Sequence, residues 1–294
     1  MSFSSYLSER LHWIEKTLDQ LVPEKMDQPH NSLYQAARYS LLGKGKRLRP
    51  LLAIATAESL GATLSICLQP ACALELIHTY SLIHDDLPSL DNDDLRRGRP
   101  TLHKVVGEGP AILTGDFLLT HAFEMITTSE GILADQKVQL IYILANRAGG
   151  EGMVGGQYVD IITEGTQLDW KTLSFIHRLK TACLISAALE FGGILAGASD
   201  TDQHLLKEIG IASGLCFQIV DDVLDEIGDP KLLGKPILSD KNKEKCTAAT
   251  LLGIPQAQDL AEKLLTSALQ KCKSLSKPSP YLESLLQNLL LRSS

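Results

Sequence analysis

The run Ala71-Cys-Ala-Leu-Glu-Leu-Ile-His-Thr-Tyr-Ser-Leu-Ile83 leads straight into His84-Asp85-Asp86-Leu87-Pro88-Ser89-Leu90-Asp91, and that junction decides the reading of the chain. The first part is an apolar, helix-like stretch. Carboxylates at the end of a buried apolar helix are costly unless something positive compensates them. The construction recurs: Ile211–Val220 runs into Asp221, Asp222 and Asp225. Two such clusters suggest a shared set of cations, and hard oxygen ligands suit Mg²⁺, which uses a few carboxylates and completes its shell with water and phosphate. Arg96 and Arg97 follow the first cluster, and guanidinium forks match phosphate oxygens. Carboxylates, magnesium and arginine together describe a diphosphate site.

Working outward, nearly every long segment has helical periodicity and no convincing alternating strand appears. Helices are expected over Ser4–Leu21, Ser32–Leu42, Leu51–Leu60, Leu68–His84, Pro110–Thr127, Asp135–Gly149, Gly152–Ile161, Asp169–Leu195, Asp202–Glu226, Ala257–Leu275 and Pro280–Leu291. The sixth rests on the stripe Val138, Ile141, Tyr142, Ala145. Breaks carry Gly, Pro, Asn or Asp, and none looks like an interdomain linker. The expectation is one all-α domain, residues 1–294, with a buried central helix layer. The glycines at 149, 150, 152, 155 and 156, and Gly192-Gly193, would allow close approach of helices or substrate. Gly228–Lys245 breaks the helical pattern. It reads either as a lid or as a solvated surface loop.

The bulk properties narrow the function. The chain has 294 residues, 44% of them hydrophobic and only 5% aromatic, which favours a large helical core. A net charge of −7 without a basic tract argues against nucleic acid. Cys67, Cys72, Cys183, Cys216, Cys246 and Cys272 form no CxxC pair or disulfide-like framework, so a cytoplasmic setting is expected. Glu9, Arg10 and His12 interrupt any signal-peptide run. No stretch reaches the roughly 18 uninterrupted apolar residues of a membrane span.

Asp221 and Asp225 are four apart and share a helix face, whereas Asp222 points elsewhere. They read as metal ligands or as an exposed acidic helix end. Asp85 and Asp91 are six apart, and Pro88 could swing Asp91 back. Arg96 and Arg97 read as an anion clamp, or as arginines balancing nearby aspartates. Gly43-Lys44-Gly45-Lys46-Arg47-Leu48-Arg49-Pro50 combines exposed backbone N–H groups with cations, as in an anion pocket or simply a basic loop. His78 lies two turns before Asp85 on the same face. Lys180-Thr181 and Gln218 are polar groups on apolar helices, candidates for substrate contact or for helix pairing.

These motifs, in this order, resemble the trans-polyprenyl diphosphate synthases. The residues are Gly45-Lys46-Arg47-x-Arg49-Pro50, His78 to Thr101 with both acidic runs and Arg96-Arg97-Gly98, Gly155-Gly156-Gln157-x-x-Asp160, Lys180-Thr181, and Gln218-x-x-Asp221-Asp222-x-x-Asp225. The pattern spans about Leu41 to Thr247 and looks closest to bacterial farnesyl and plant-type geranylgeranyl diphosphate synthases. The resemblance implies a helical bundle around a deep central cavity, usually a homodimer. It implies a Mg-dependent head-to-tail prenyltransferase that condenses isopentenyl diphosphate with an allylic diphosphate, with farnesyl diphosphate as product. A geranylgeranyl diphosphate synthase or a non-catalytic partner subunit are the alternatives.

By motif position, Asp85, Asp86 and Asp91, with Asp221 and Asp225, would hold three Mg²⁺ on the allylic diphosphate. Lys46, Arg49, His78 and Arg97 fall where the family binds isopentenyl diphosphate. Arg96, Lys180, Lys235 and Lys245 fall where it holds the allylic diphosphate. Thr181 and Gln218 fall beside the reacting carbons, Gln157 and Asp160 near the cavity, and Tyr80 over the small Ser81 at the place that sets product length. The chain departs from the family at 234–249, where two glycines and a Tyr-Pro pair are missing.

Overall fold

The computed structural model describes residues 1–227 and 246–290. Lys235 and Lys245, with the rest of Gly228–Lys245, lie outside the described residues. The chain forms two compact units: Met1–Ile54 with Thr63–Ile141, and Ala55–Ala62 with Tyr142–Ser294. Both are helical.

The first unit is organised by the stretch that opened the reading. Helix α4 (Leu64–Asp85) buries twelve side chains on all its faces, among them Cys67, Leu74, Ile77, Tyr80 and Ile83. A helix that is apolar all round belongs in a core. It is long and apolar enough to cross a membrane, but 67% of its most apolar stretch is buried inside the fold. It begins at Leu64, before the expected Leu68, because Pro70 is tolerated within the helix. Around it stand α1 (Phe3–Leu21), α2 (Asn31–Leu41), the start of α3 (Leu48–Ser59), α5 (Leu102–Val106), α6 (Glu108–Thr128) and the start of α7 (Ala134–Ala148). Pro50 sits in the first turn of α3, where no hydrogen bond is lost, so that helix also starts earlier than expected.

In α7 the stripe Val138–Tyr142 faces outward, with those two residues 65% and 66% exposed; the buried positions are Leu140, Leu144 and Ala148. The helix was expected correctly, but its inner face lies one step round.

A two-stranded hairpin, missed by the helical reading, joins α4 to α5: β1 (Leu95–Arg96) pairs antiparallel with β2 (Arg99–Pro100). Its two-residue loop is Arg97-Gly98, with φ of +55° and +77°. Hairpins of this length use loops with both residues left-handed, which is why glycine stands second.

In the second unit the central element is α10 (Cys183–Leu195), whose thirteen residues are all buried. It packs on α11 (Asp200–Ile227), which in turn holds α12 (Ala248–Leu252), α13 (Ile254–Cys272) and α14 (Pro280–Leu290). The expected single helix Asp169–Leu195 is broken into α9 (Trp170–His177), a π-helical turn over Arg178–Ala182, and α10. The π turn touches α8 (Met153–Ile162) and α11. A Cβ on Gly156 would collide with the backbone nitrogen of Lys180, and one on Gly214 with the Cα of Ala182. Two glycines thus let neighbouring helices reach the widened turn. Such turns recur at functional sites.

Candidate active site

The first unit carries an acidic turn and an arginine cluster. Helix α4 ends at Asp85, and the chain folds back so that Asp91 N–H donates to Asp85 O at 2.8 Å and Asn92 N–H to Leu87 O at 3.0 Å. Asn92 takes φ +51°, which Asn tolerates. Asp85 and Asp91 therefore sit together, both half-buried. Asp86 does not stand with them. It is buried, and its carboxylate accepts from Arg96 Nε at 2.9 Å and from Arg96 Nη2. Arg96 Nη2 also reaches Asp93 at 3.2 Å. Burial raises the Asp86 pKa, and the Arg96 hydrogen bond opposes the rise. Arg96, expected on a diphosphate, here balances two aspartates, because a buried carboxylate needs a partner.

The basic loop divides its charges. Arg47 takes φ +48° and turns inward. It donates to Glu15 at 2.7 Å, Glu75 at 2.9 Å and Gly43 O at 2.8 Å. It is a structural arginine, which the sequence could not separate from its neighbours. Arg49 has no such pairing: its Nε is shielded from solvent and finds no hydrogen-bond partner among the described residues. Burial lowers Arg49 to about 10; Glu75 opposes this and Arg97 adds to it, so it stays charged at pH 7.

Arg97 Nη1 donates to Lys44 O at 2.8 Å, and a Cβ on Gly45 would stand 2.7 Å from that nitrogen. Lys46 is exposed. His78 is pushed well below its usual pKa, first by burial and then by Arg49, Arg97, Arg96 and Arg47. Arg49, Arg97, Arg96 and Arg47 thus place positive charge around a neutral imidazole, chemistry that can attract an anion.

Two residues of α4 complete this half. Tyr80 is buried, its ring edge-on to His84 with centroids 5.7 Å apart. Burial, helped by Asp85, raises its hydroxyl to about 12. Ser81 Oγ bonds back to His78 O at 3.0 Å.

In the second unit the π turn presents Lys180 and Thr181 side by side. Lys180 Nζ lies 2.6 Å from Asp160 Oδ2 on α8. Thr181 Oγ1 donates to Gln218 Oε1 at 2.7 Å, and Gln218 Nε2 donates to Asp222 Oδ1 at 2.9 Å. The other Asp222 oxygen accepts Ala248 N–H at 2.7 Å and lies 3.4 Å from His177 Nε2. Burial lowers His177 to about 4, against Asp160 and with Lys180, so the ring is neutral at pH 7. Gln157 is half-buried, and its Oε1 finds no partner among the described residues. Asp221 is half-buried and Asp225 is buried on the same helix. The sequence reading missed Asp222 as a contact of Gln218, although their spacing of four was legible.

The donor chemistry fits magnesium. Asp85 and Asp91 in the first unit, and separately Asp221 and Asp225 in the second, offer hard oxygens. Among the described residues no three His, Cys, Asp or Glu side chains converge to hold an ion.

The sequence pattern of the polyprenyl synthetase family matches residues 30–281. A farnesyl diphosphate synthase of Geobacillus stearothermophilus is 44% identical over 261 residues, covering 88% of this chain and 87% of that protein. A chloroplastic geranylgeranyl pyrophosphate synthase of Arabidopsis thaliana is 43% identical over 269 residues, covering 90% and 77%. Among solved structures, the geranyltransferase of Helicobacter pylori complexed with magnesium and isoprenyl diphosphate superposes with a TM-score of 0.86 at 34% identity, covering 99% of this chain and 97% of that one. The chain belongs to the polyprenyl synthetase family and is a trans-prenyl synthase. Its class is that of the prenyltransferases of isoprenoid biosynthesis.

Proposed function

We propose that this prenyltransferase makes farnesyl diphosphate by head-to-tail condensation of isopentenyl diphosphate with dimethylallyl and then geranyl diphosphate. The observation that carries the reading is the surplus of guanidinium charge at Arg49 and Arg97 around neutral His78, beside a carboxylate turn offering Asp85 and Asp91. An anion pocket separate from a metal-binding turn suits a reaction with two diphosphate substrates. The first holds the isopentenyl diphosphate, with Lys46 at its exposed edge.

By family expectation three magnesium ions would be held by Asp85 and Asp91 on the first unit and by Asp221 and Asp225 on the second, and would supply positive charge to a departing diphosphate. Arg96, Lys180, Lys235 and Lys245 fall by motif position where the family holds that group, with Arg96 set against Asp86 and Asp93, and Lys180 against Asp160. The allylic C–O bond breaks, with its electron pair leaving on the diphosphate. The hydroxyl of Thr181 and the carboxamide of Gln218 offer oxygen lone pairs to the allylic cation. The isopentenyl double bond forms the new C–C bond, and a proton leaves to the diphosphate. No protein nucleophile is required.

The C15 product rests on Tyr80, a buried aromatic one turn and a half before Asp85, where a growing chain would meet it. The similarity to a plant geranylgeranyl pyrophosphate synthase supports C20 as the second reading. We take 1–294 as one synthase domain, because the family match runs through both units. A cytoplasmic homodimer is the expected form, and the six free cysteines suit a reducing compartment.

The test is a product assay with labelled isopentenyl diphosphate and each allylic primer, with and without chelator. Magnesium-dependent C15 product supports the proposal, and C20 moves it to the second reading. No condensation with any primer identifies a non-catalytic partner subunit.

A further inference from the structure

Asp222 lies inside the second acidic motif, and its carboxylate meets Gln218, Ala248 and His177. Both its oxygens accept: Oδ1 from Gln218 Nε2 at 2.9 Å, and Oδ2 from the backbone N–H of Ala248 at 2.7 Å, with His177 Nε2 at 3.4 Å. A backbone N–H can only donate, and an ionised carboxylate can only accept. The carboxamide of Gln218 has one donating end and one accepting end. With its NH₂ group held by Asp222, its oxygen must face Thr181. The Thr181 hydroxyl has a single proton, and that proton goes to Gln218 Oε1 at 2.7 Å. The lone pairs of Thr181 Oγ1 are then what the hydroxyl offers to anything else that approaches it.

We infer that Asp222 is a positioning residue, which sets the direction of the Thr181–Gln218–Asp222 hydrogen-bond chain so that Thr181 presents lone pairs and not a proton to an electron-poor allylic carbon. The inference rests on the prenyl-transfer reading above. Without Asp222 as a fixed acceptor the amide of Gln218 can turn over. Its NH₂ would then donate to Thr181, whose proton would point toward the developing cation. The loss falls on the ionisation step and not on substrate binding. Asp222 therefore differs in kind from the residues expected to hold magnesium, even though it stands between two of them in the sequence.

The experiment compares the full-length wild type with Asp222→Asn, Gln218→Glu and the double variant, using isopentenyl and geranyl diphosphates, with a magnesium titration and a thermal melt for each. Asp222→Asn keeps the shape, but with its oxygen on the Ala248 N–H it turns its NH₂ to Gln218, whose own oxygen must then face position 222. Its kcat is expected to fall on the order of 10- to 100-fold, the size of one misdirected charge-assisted hydrogen bond. The KM of both substrates and the magnesium midpoint should stay within about twofold, since neither binding contact is removed.

The double variant restores a single direction, because Asn at 222 can donate to a carboxylate at 218 that Thr181 must again donate to. It should recover about tenfold or more in kcat over Asp222→Asn. Wild-type kcat in Asp222→Asn, a loss that the second change does not repair, or a shifted magnesium midpoint in its place overturns the inference. Should Asp222→Asn fail to fold, Gln218→Glu sets two carboxylates face to face and carries the same test: it should lose kcat and regain it in the double variant. A wild type that condenses no primer overturns both readings, whereas an active wild type with an unaltered Asp222→Asn overturns the clamp alone.

Discussion

Arg47 Nη1 donates to Glu75 Oε1 at 2.9 Å, between side chains that are 1% and 3% exposed, while Arg49, two positions on, has a shielded Nε without a partner among the described residues. The two arginines of one basic loop therefore do opposite work. Arg47 is paired inside the fold, and Arg49 keeps its charge at pH 7.

Truncating each side of that relationship should separate stability from binding. Glu75→Ala leaves Arg47 with the partly exposed Glu15 as its carboxylate partner among the described residues, and is expected to cost about 3 kcal/mol of unfolding free energy, as for a broken buried ion pair. Arg49→Ala removes a like-charged neighbour of Arg97. It should leave the urea midpoint nearly unchanged while raising the KM for isopentenyl diphosphate by roughly 10- to 100-fold, the worth of one charge-assisted contact. Equal effects of both changes on stability would remove the distinction.

Arg97 occupies a left-handed turn position that asparagine fills more easily. Arg97→Asn should therefore hold or raise the melting temperature, by the equivalent of a few tenths of a kcal/mol or more, because strain at a functional position is relieved. It should also weaken isopentenyl diphosphate use about 10-fold or more through loss of the guanidinium. A variant that loses both stability and substrate affinity would show that the guanidinium holds the turn together.

His78 should make the substrate-free protein acid-sensitive. Its folded pKa is depressed below the ordinary 6.5, so the unfolded chain binds the proton first. Stability is then intact above about pH 6.5 and falls as pH drops below it. Thermal melts at pH 7.5 and 5.5 should differ less for His78→Gln than for the wild type. Inorganic pyrophosphate should reduce the wild-type difference, because an anion among the arginines favours the imidazolium. An equal pH response in wild type and His78→Gln would remove His78 as the source.

Tyr80→Ala should lengthen the product. Removing most of a buried aromatic ring opens on the order of 100 Å³ in a close-packed interior, about one isoprene unit. The main product should move from C15 toward C20 or longer in a reversed-phase product assay. A wild type that already makes C20, or an unchanged product distribution, would show that Tyr80 is not the floor.

Several features could be read from the sequence because the physics is local. The apolar run into Asp85 is a helix ending in carboxylates whatever surrounds it. Proline at 88 foretold a turn, and Asp91 returns to Asp85 through it. Helix periodicity placed most long elements within a few residues. Other features have no local signature. The π turn at Arg178–Ala182 packs against Gly156 and Gly214, which lie far from it in the chain and whose missing side chains allow the close approach. Hairpin β1–β2 is two residues per strand, too short for alternation to show.

What the sequence by itself determined is the inventory: a helical chain, two acidic motifs, a basic loop and a Lys-Thr pair, in an order that resembles one enzyme family. Which members of that inventory are free to act was decided by tertiary structure. Arg47 and Arg49 are the same residue type two positions apart, and only burial against Glu75 makes one structural. Asp86 reads as a metal ligand beside Asp85, and Asp222 only as pointing away from Asp221; the fold gives the first Arg96 as partner, and the second Gln218 with Ala248. The reason is that a buried charge must find a partner, and the partners come from segments distant in the chain, which only the fold brings within hydrogen-bond reach.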